Sequence, residues 1–135
     1  MAFWLLKTEP SAFSYGDLEP RAREPWDGVR NAGAARNLRA MRPGDLALVY
    51  HTGDERRAVG IAEVVGEPYP DPTADDPRWV AVDVRPVRRL DRPVTLAEMR
   101  SDPAFADSVL LRQGRLSVVP VPPPLWDRIL ALGAR

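Results

Sequence analysis

The sequence predicts one α+β domain that contains five or six strands and several short helices. Stretches of alternating apolar residues recur along the chain and indicate half-buried strands. Between them lie short apolar patterns at helical spacing, most of them opened by a capping residue. Fifteen prolines among 135 residues favour turns and edge strands over long helices. A chain of this length can bury a core without disulfides, so we expect residues 1–135 to fold as one domain.

The elements of the first third follow from their capping residues and apolar faces. In chain order we predict a strand over residues 3–8, a capped helical turn over residues 14–18, a polar loop over residues 19–25 and a helix from Asn31 to about Met41. Asn31 belongs to a residue type that is preferred at helix N-caps. Ala35, Leu38 and Met41 then share one face at helical spacing, which predicts that this face is buried.

The remaining elements alternate in the same way. The predicted order is a turn over residues 43–45, strands over 46–50 and 59–65 joined by a hairpin loop at 53–57, an extended loop over 69–77, a strand from 79 to 84 or 90, short helices at 95 and near 103–107, a strand over 116–121 and a final helix over 122–132. Thr95 and Glu98 have the spacing of a capping box, in which each side chain binds the other residue's backbone N–H. Gly133 fits the position just beyond the final helix.

The composition excludes several classes of protein. Cysteine is absent, which rules out disulfides, thiol catalysis and thiolate metal sites. The 19 basic and 19 acidic residues balance, so any contact with nucleic acid must be local and selective. No apolar run approaches 18 residues, and the first residues lack a positively charged segment before their short apolar run. We therefore expect a cytoplasmic protein that does not enter membranes.

The most informative segment is Trp26-Asp27-Gly28-Val29-Arg30-Asn31, just before the predicted helix. Trp offers a stacking face, while Asp, Arg and Asn can meet the donors and acceptors of a base edge. Gly lets the backbone approach closely. These groups together can hold a flat ring with a polar edge. A capped turn, in which Asn31 caps the helix and Trp26 fills the core, explains the same residues equally well.

Residue types that are rare in this chain point to a shared site. The chain has 18 Arg but one Lys (Lys7), one His (His51) and one Gln (Gln113), and each is predicted to follow a strand. The two asparagines, Asn31 and Asn37, bracket the first helical turns after the tryptophan segment. Lys is a compact point charge, whereas Arg is a planar fork. We expect the Lys7 ammonium to contact a base edge or a phosphate, and the alternative is that it reaches solvent from the strand end.

The four tryptophans divide into two groups. Trp4 and Trp79 lie on predicted strands, and Trp126 shares a helical face with apolar residues, so all three are predicted to lie in the core. Trp26 lies in a predicted loop beside polar groups. It is therefore the candidate for a ring that faces a ligand.

Three other polar groups have weaker claims to function. Asp71, Asp75 and Asp76 lack the Gly and Glu positions of a calcium-binding EF-hand loop, and Asp residues flanked by prolines usually form turns. His51 has no nucleophile or metal-ligand motif nearby, so it is predicted to be a hydrogen-bonding residue at a strand end. We expect a solvated basic face from a group of four arginines, Arg85, Arg88, Arg89 and Arg92. No catalytic, cofactor or metal site is predicted.

Six motifs, in order and spread over residues 3–132, resemble the EVE domain family. They are Phe3-Trp4-Leu5-Leu6-Lys7-Thr8-Glu9-Pro10, Trp26-Asp27-Gly28-Val29-Arg30-Asn31, Ala35-Arg36-Asn37, Tyr50-His51-Thr52, Tyr69-Pro70-Asp71-Pro72-Thr73 and Arg115-Leu116-Ser117-Val118. The resemblance implies a PUA-like fold, a small mixed β-barrel surrounded by short helices and related to the YTH readers of modified bases. Two departures occur: Thr52 stands where Ser is expected, and Gly33-Ala34 stands where a bulkier polar residue is common.

The resemblance further implies a pocket for a flipped, modified base: methylated or hydroxymethylated cytosine, or methylated adenine. The residues that match positions around this pocket are Lys7, Thr8, Trp26, Asp27, Val29, Asn31, Asn37, His51, Thr52, Arg115, Leu116 and Ser117. Arg30 and Arg36 are the candidates for contacts to the nucleic-acid backbone. We expect a monomeric, non-enzymatic binder of DNA in preference to RNA, without a cofactor. The alternatives are an enzyme that uses His51 or Asp27 as a base, and a protein-interaction module with a vestigial pocket.

Overall fold

Six strands form one curled mixed sheet, an open half-barrel, in the computed structural model, which describes residues 1–134. The strands of the described chain are β1 (Phe3–Thr8), β2 (Glu24–Trp26), β3 (Leu46–His51), β4 (Arg57–Val64), β5 (Tyr69–Pro70), β6 (Val80–Thr95) and β7 (Val118–Pro120). Their order across the sheet is β2-β6-β4-β3-β1-β7, and the two-residue β5 pairs separately with β6. The predicted α+β class is therefore confirmed.

Five short α-helices of residues 1–134 surround the sheet. They are α1 (Tyr15–Leu18), α2 (Ala32–Ala40), α3 (Leu96–Ser101), α4 (Val109–Arg112) and α5 (Pro123–Gly133), and a 3-10 turn spans Pro103–Phe105. The predicted caps are confirmed at α1, α2 and α3. The Asn31 side chain accepts a hydrogen bond from the Ala34 backbone, and α3 begins with the predicted capping box. None of these helices is long and apolar enough to cross a membrane.

Parallel pairing of β1 with β3 sets the position of the site. Thr8 lies opposite His51 in this register, so the carboxyl ends of the two central strands meet at one edge of the sheet. β7 runs antiparallel along the other side of β1. The loops that leave these strand ends are therefore brought together with residues 117 and 118.

The core has two parts, one on each face of β1. Leu6 packs in a cluster that includes Tyr15 and Trp26, whereas the neighbouring Leu5 packs in a second cluster with Trp126. Successive side chains of a strand point to opposite faces, which explains this division. The Phe3 ring stacks on the Trp126 ring of α5 with centroids 4.5 Å apart. Trp4 and Trp126 are buried, as predicted.

Several sequence-based expectations were wrong. Residues 24–26 form β2 instead of continuing a loop, because they pair with β6. Trp79 precedes β6, is only half-buried, and lies under the Arg78 guanidinium. Gln113 follows α4 and not a strand. Gly133 is the last residue of α5 rather than its cap, and an added Cβ there would lie 3.3 Å from the Arg92 backbone oxygen.

The predicted solvated face on β6 is confirmed and consists largely of ion pairs. Arg85 pairs with Glu63, Arg89 with Glu19, and Arg92 with Glu98. The arginine side chains are 39–52% exposed. Three of the four arginines are therefore paired, whereas Arg88 is exposed and forms no ion pair within residues 1–134.

Candidate functional site

A cleft of about 530 Å³ lies at the edge where β1 and β2 end, and its volume falls within the usual range for ligand sites. Its walls come from the end of β1, the turn before α1, β2 with the loop after it, and the residue before β7. The lining residues are Lys7, Thr8, Glu9, Phe13, Glu24, Pro25, Trp26, Asp27, Gly28, Val29, Arg30, Asn31 and Ser117. The Trp26–Asn31 segment, singled out in the sequence, is therefore the largest contribution from one stretch of chain.

Trp26 is both a core residue and a wall of the cleft. It ends β2 opposite Val82 of β6 and is only 7% exposed. The Phe13 ring meets it edge-on, with centroids 6.1 Å apart and ring planes 82° apart. An edge-on partner fixes the plane of an aromatic ring. The interpretation of Trp26 as a core residue is thus confirmed. Trp26 also lines the cleft, and its contact with a ligand stays a prediction.

The loop after Trp26 is held by one buried carboxylate. Asp71 accepts hydrogen bonds from the Gly28 backbone N–H at 2.8 Å and from Arg30 Nη1 at 2.9 Å. It also accepts from the backbone N–H and the hydroxyl of Thr73. Gly28 has a φ of +78°, a conformation that favours glycine. The backbone of this segment is therefore fixed before any ligand binds.

The environment of Asp71 keeps it ionised. Burial alone would raise the pKa of its carboxyl. The hydrogen bonds from Thr73, Gly28 and Arg30 outweigh burial and hold the pKa well below its usual range. Asp71 thus serves as a permanent anion that positions the loop, and its own oxygens are already occupied. Among residues 1–134, no group of three or more acidic or histidine side chains is arranged to hold a metal ion.

The cleft also contains polar groups that form no hydrogen bond with any described residue. Asn31 uses its Oδ1 to accept from the Ala34 N–H, which leaves its NH₂ group as a donor. Within residues 1–134, neither the exposed Asp27 carboxylate nor the Ser117 hydroxyl makes a hydrogen bond. A stacking ring therefore lies beside an unused acceptor and an unused donor. Chemically, this arrangement suits a planar ligand with hydrogen-bonding atoms along one edge.

Lys7 borders the cleft, but its ammonium is directed elsewhere. Nζ donates to the Gly114 carbonyl oxygen at 2.8 Å and lies 5.8 Å from the centre of the Tyr50 ring. Tyr50 belongs to the core cluster on the opposite face of β1 from Trp26. Burial lowers the pKa of the Lys7 ammonium. The expected contact between this ammonium and a ligand in the cleft is therefore not prepared in this structure.

Five of the residues matched to the pocket lie outside the cleft lining: Asn37, His51, Thr52, Arg115 and Leu116. Asn37 donates to the Val118 carbonyl oxygen, and Thr52 donates to the Thr8 carbonyl oxygen. His51 Nε2 accepts from the Tyr15 N–H, and its Nδ1 lies 2.9 Å from Glu55. His51 is thus the strand-end hydrogen-bonding residue that the sequence predicted. These contacts support the walls of the cleft from behind.

The two arginines expected at a nucleic-acid backbone take different positions. Arg30 lines the cleft and is held by Asp71, although its side chain remains 40% exposed. Arg36 is exposed on α2 and forms no ion pair within the described chain. Both can reach solvent at this edge of the domain.

Four lining residues were not identified as site residues from the sequence: Glu9, Phe13, Glu24 and Pro25. Glu24 and Pro25 were missed because β2 was taken for a loop. Phe13 precedes the N-cap Ser14 and gave no periodic signal of its own, since its role depends on the distant Trp26.

Comparisons with known proteins agree with this geometry. The model of a family described as the EVE domain matches residues 2–132. The chain belongs to the EVE domain family. Human thymocyte nuclear protein 1 is 33% identical over an alignment that covers 96% of this chain and 72% of the human protein. The resemblance proposed from the six motifs is confirmed.

Solved structures of EVE relatives superpose closely. An NMR structure of a Rhodopseudomonas palustris protein has a TM-score of 0.93 and 41% identity, covering 98% of this chain and 93% of that one. The crystal structure of human thymocyte nuclear protein 1 in complex with DNA that contains 5-methylcytosine has a TM-score of 0.91 and 32% identity, covering 100% and 99%. An ASCH structure from Zymomonas mobilis shares the fold at a TM-score of 0.61, 10% identity and coverage of 97% and 95%. The predicted PUA-like fold is confirmed.

Proposed function

We propose that this EVE domain binds DNA that carries a modified base and that the modified base leaves the duplex and enters the Trp26 cleft. One observation carries the proposal. The human relative was crystallised with DNA containing 5-methylcytosine, and its structure matches this chain over its whole length. The cleft supplies the physical means, because it combines an aromatic wall with unoccupied hydrogen-bonding groups.

The free energies of base extrusion and base binding are similar in size, so the modification can decide which base binds. Extruding a base costs a few kcal/mol, and stacking on an aromatic side chain returns roughly 1–3 kcal/mol. A matched hydrogen-bonded edge contributes a similar amount. Because these quantities nearly cancel, a small additional contact decides whether the base stays in the cleft. Burial of one methyl group contributes about 0.8 kcal/mol, which corresponds to about fourfold in affinity.

The unoccupied polar groups favour bases that carry an amino group. A carboxylate such as Asp27 accepts from the N4 amino group of cytosine, and the Asn31 NH₂ group can donate to a neighbouring ring nitrogen or carbonyl oxygen. Adenine presents the same order of amino donor and ring-nitrogen acceptor. Thymine and uracil present a ring N–H at this position. The Asn31 NH₂ group is also a donor and cannot accept a hydrogen bond from it. Modified cytosine is therefore our first candidate, and methylated adenine is the second.

A binding role without catalysis fits the side chains that the structure brings together. The single histidine of the chain lies behind the cleft, with both ring nitrogens in contact with other residues. General base catalysis needs a base within hydrogen-bond reach of the reacting atom. Among the polar residues that line the cleft, the Asp27 carboxylate and the Asn31 NH₂ group offer an acceptor and a donor, which supports recognition of a base edge.

Fluorescence anisotropy with labelled DNA duplexes tests the proposal. The duplexes differ at one position only, which carries cytosine, 5-methylcytosine, 5-hydroxymethylcytosine, adenine or N6-methyladenine. We expect one modified duplex to bind several-fold more tightly than its unmodified counterpart. Equal affinity for every modified duplex and its counterpart would refute the proposal.

One variant and its control test whether the preference for a modified base arises in the Trp26 cleft. Asp27→Asn removes the acceptor for an amino group, and we expect it to weaken binding of the preferred duplex about tenfold. Asp107→Asn is the matched control, because Asp107 is also exposed but lies outside the cleft. If both variants bind like the parent, Asp27 does not read the base.

A further inference from the structure

A second cavity lies on the opposite side of β1 from the Trp26 cleft. It encloses about 250 Å³ between the central strands and helices α3 and α4. Leu5 and Tyr50 form its floor, and Met99 and Leu110 belong to the helices that cover it. The two cavities share Lys7 as a lining residue. Since its other walls are distinct, this cavity is a separate site.

The wall of this cavity is apolar. Leu96 and Met99 contribute from α3, and Leu110 and Leu111 contribute from α4. No aspartate or glutamate of residues 1–134 lines it. A pocket with apolar walls and a few polar groups is the usual form of a site for a small molecule.

Within the described chain, the charged side chains that line this cavity are all cations, and none of them pairs with a carboxylate. Lys7, Arg56 and Arg100 line it, and none forms an ion pair with another residue of the described chain. By contrast, ten other arginines of residues 1–134 do form ion pairs. The Lys7 ammonium has the Gly114 carbonyl oxygen as its hydrogen-bond partner, and both residues line the cavity.

Two features make this group of cations unfavourable without a neighbouring anion. Lys7 is half-buried, and a buried ammonium without an anionic partner is unfavourable. Arg56 has a φ of +46°, which residues other than glycine rarely adopt. Backbone strain of this kind often occurs where side chains are positioned for a ligand.

We propose that the second cavity binds a small amphipathic anion, with an apolar body against α3 and α4 and a single anionic head between Lys7, Arg56 and Arg100. The head supplies the negative charge that these three cations lack. The volume of about 250 Å³ lies just below the usual range of roughly 300–1,000 Å³ for ligand pockets, so it suits a ligand smaller than a drug-sized molecule. A single short alkyl chain with one carboxylate or phosphate head is of this class. This proposal is independent of DNA binding in the Trp26 cleft.

NMR titration with four probes tests both halves of the ligand. Octanoate and octyl phosphate carry the body and the head, octan-1-ol carries the body alone, and inorganic phosphate carries the head alone. We expect saturable shifts of the Gly53 and Gly114 amide signals with octanoate or octyl phosphate, while Gly28 in the other cleft is unaffected. The tighter of these two identifies the head group. Octan-1-ol or inorganic phosphate binding as tightly as both anions would overturn the proposal, as would the absence of any saturable shift.

Substitutions of the cations separate this site from general charge attraction. We expect Lys7→Met and Arg100→Gln each to weaken the tighter anion about tenfold, since each removes a charge-assisted contact. Arg112→Gln is the matched control, because Arg112 is an exposed arginine of α4 outside the cavity lining. Unchanged affinity in both Lys7→Met and Arg100→Gln, or an equal loss in Arg112→Gln, would overturn the proposal. Thermal unfolding of each variant establishes that it is folded.

Discussion

The guanidinium of Arg30 lies 2.9 Å from the fully buried carboxylate of Asp71. This contact joins two segments that are 41 residues apart in the chain: the loop after β2 and the loop after β5. The same Asp71 oxygen accepts the Gly28 N–H, so backbone and side chain of one loop are held by a single anion. The shape of the Trp26 cleft thus depends on a residue that does not line it.

Asp71→Ala should destabilise the protein and weaken ligand binding at the cleft. It leaves the Gly28 N–H and the Thr73 groups without their acceptor. Breaking a buried ion pair costs about 3–5 kcal/mol. Arg30 is 40% exposed and can be rehydrated, so we expect a loss of about 2 kcal/mol in urea unfolding.

Asp75→Ala is the matched control for this prediction. Asp75 lies in the same loop and is exposed, so its removal should change the free energy of unfolding by less than about 0.5 kcal/mol. If Asp71→Ala were as stable as Asp75→Ala, the loop would be held by other contacts. DNA binding by Asp71→Ala, measured below its unfolding transition, then shows whether loop position affects recognition.

The stability lost on replacing each tryptophan should follow its burial in the structure and not its position on a predicted strand or loop. Trp26→Ala and Trp126→Ala should each cost about 3–5 kcal/mol, because both rings are buried. Trp79→Ala should cost about 1 kcal/mol, since its ring is half-buried beneath Arg78. Urea unfolding followed by circular dichroism measures all three. A cost for Trp79→Ala equal to that of Trp126→Ala would place Trp79 in the core after all.

Because Trp26 also packs in the core, a milder substitution must test its role in binding. Trp26→Phe keeps an aromatic ring against Phe13 but reduces the stacking area. We expect this variant to remain folded and to lose several-fold in affinity for the preferred modified duplex. Trp126→Phe is the control and should leave DNA affinity unchanged.

Signals carried by a few neighbouring residues predicted the fold well. The caps at Ser14, Asn31 and Thr95 each place a side chain within three residues of its backbone partner, so the sequence alone specifies them. A short apolar run likewise located β1, and alternation located β3. These contacts do not depend on the rest of the molecule, which is why they could be predicted.

Contacts between distant segments could not be predicted in the same way. β2 has three residues and includes Pro25, and it is a strand only because it pairs with β6 more than fifty residues later. The close approach of Leu90 and Arg92 to Gly133 of α5, which leaves little room for a Cβ, likewise joins distant segments. The family resemblance identified residues near the cleft, but it could not show that His51 and Asn37 lie behind the wall.

The ion pair between Arg92 and Glu98 should make stability depend on pH in the acid range. The Arg92 guanidinium binds Glu98 at 2.5 and 3.0 Å and lowers the pKa of the carboxyl from 4.5 to about 2. A carboxyl whose pKa is lower in the folded than in the unfolded protein stabilises the fold at pH values above its unfolded pKa. This stabilisation is therefore complete above about pH 4.5 and is lost as the pH falls towards 2.

Glu98→Gln tests this dependence. We expect the variant to be less stable than the parent at pH 7 and to lose less stability between pH 4.5 and pH 2. Glu67→Gln is the control, because Glu67 is 67% exposed and its ion pair with Arg42 is long, at 4.0 Å. Urea unfolding at several pH values gives both profiles. Parallel pH profiles for the parent and Glu98→Gln would contradict the assignment.

The salt dependence of DNA binding should distinguish Lys7 from Arg36. The Lys7 ammonium donates to the Gly114 carbonyl oxygen and lies over Tyr50, on the face of β1 opposite the Trp26 cluster. We therefore expect Lys7→Met to leave the slope of log affinity against log salt concentration unchanged.

Arg36 is exposed on α2 and free of ion pairs within residues 1–134, so it can contact a phosphate. Each phosphate contact contributes about 0.9 to this slope, so Arg36→Gln should flatten it by about one unit. Anisotropy measured across a salt series for the parent and both variants decides the matter. A flatter slope for Lys7→Met would mean that the ammonium turns towards the DNA when DNA binds, because its position in the free protein offers no phosphate contact.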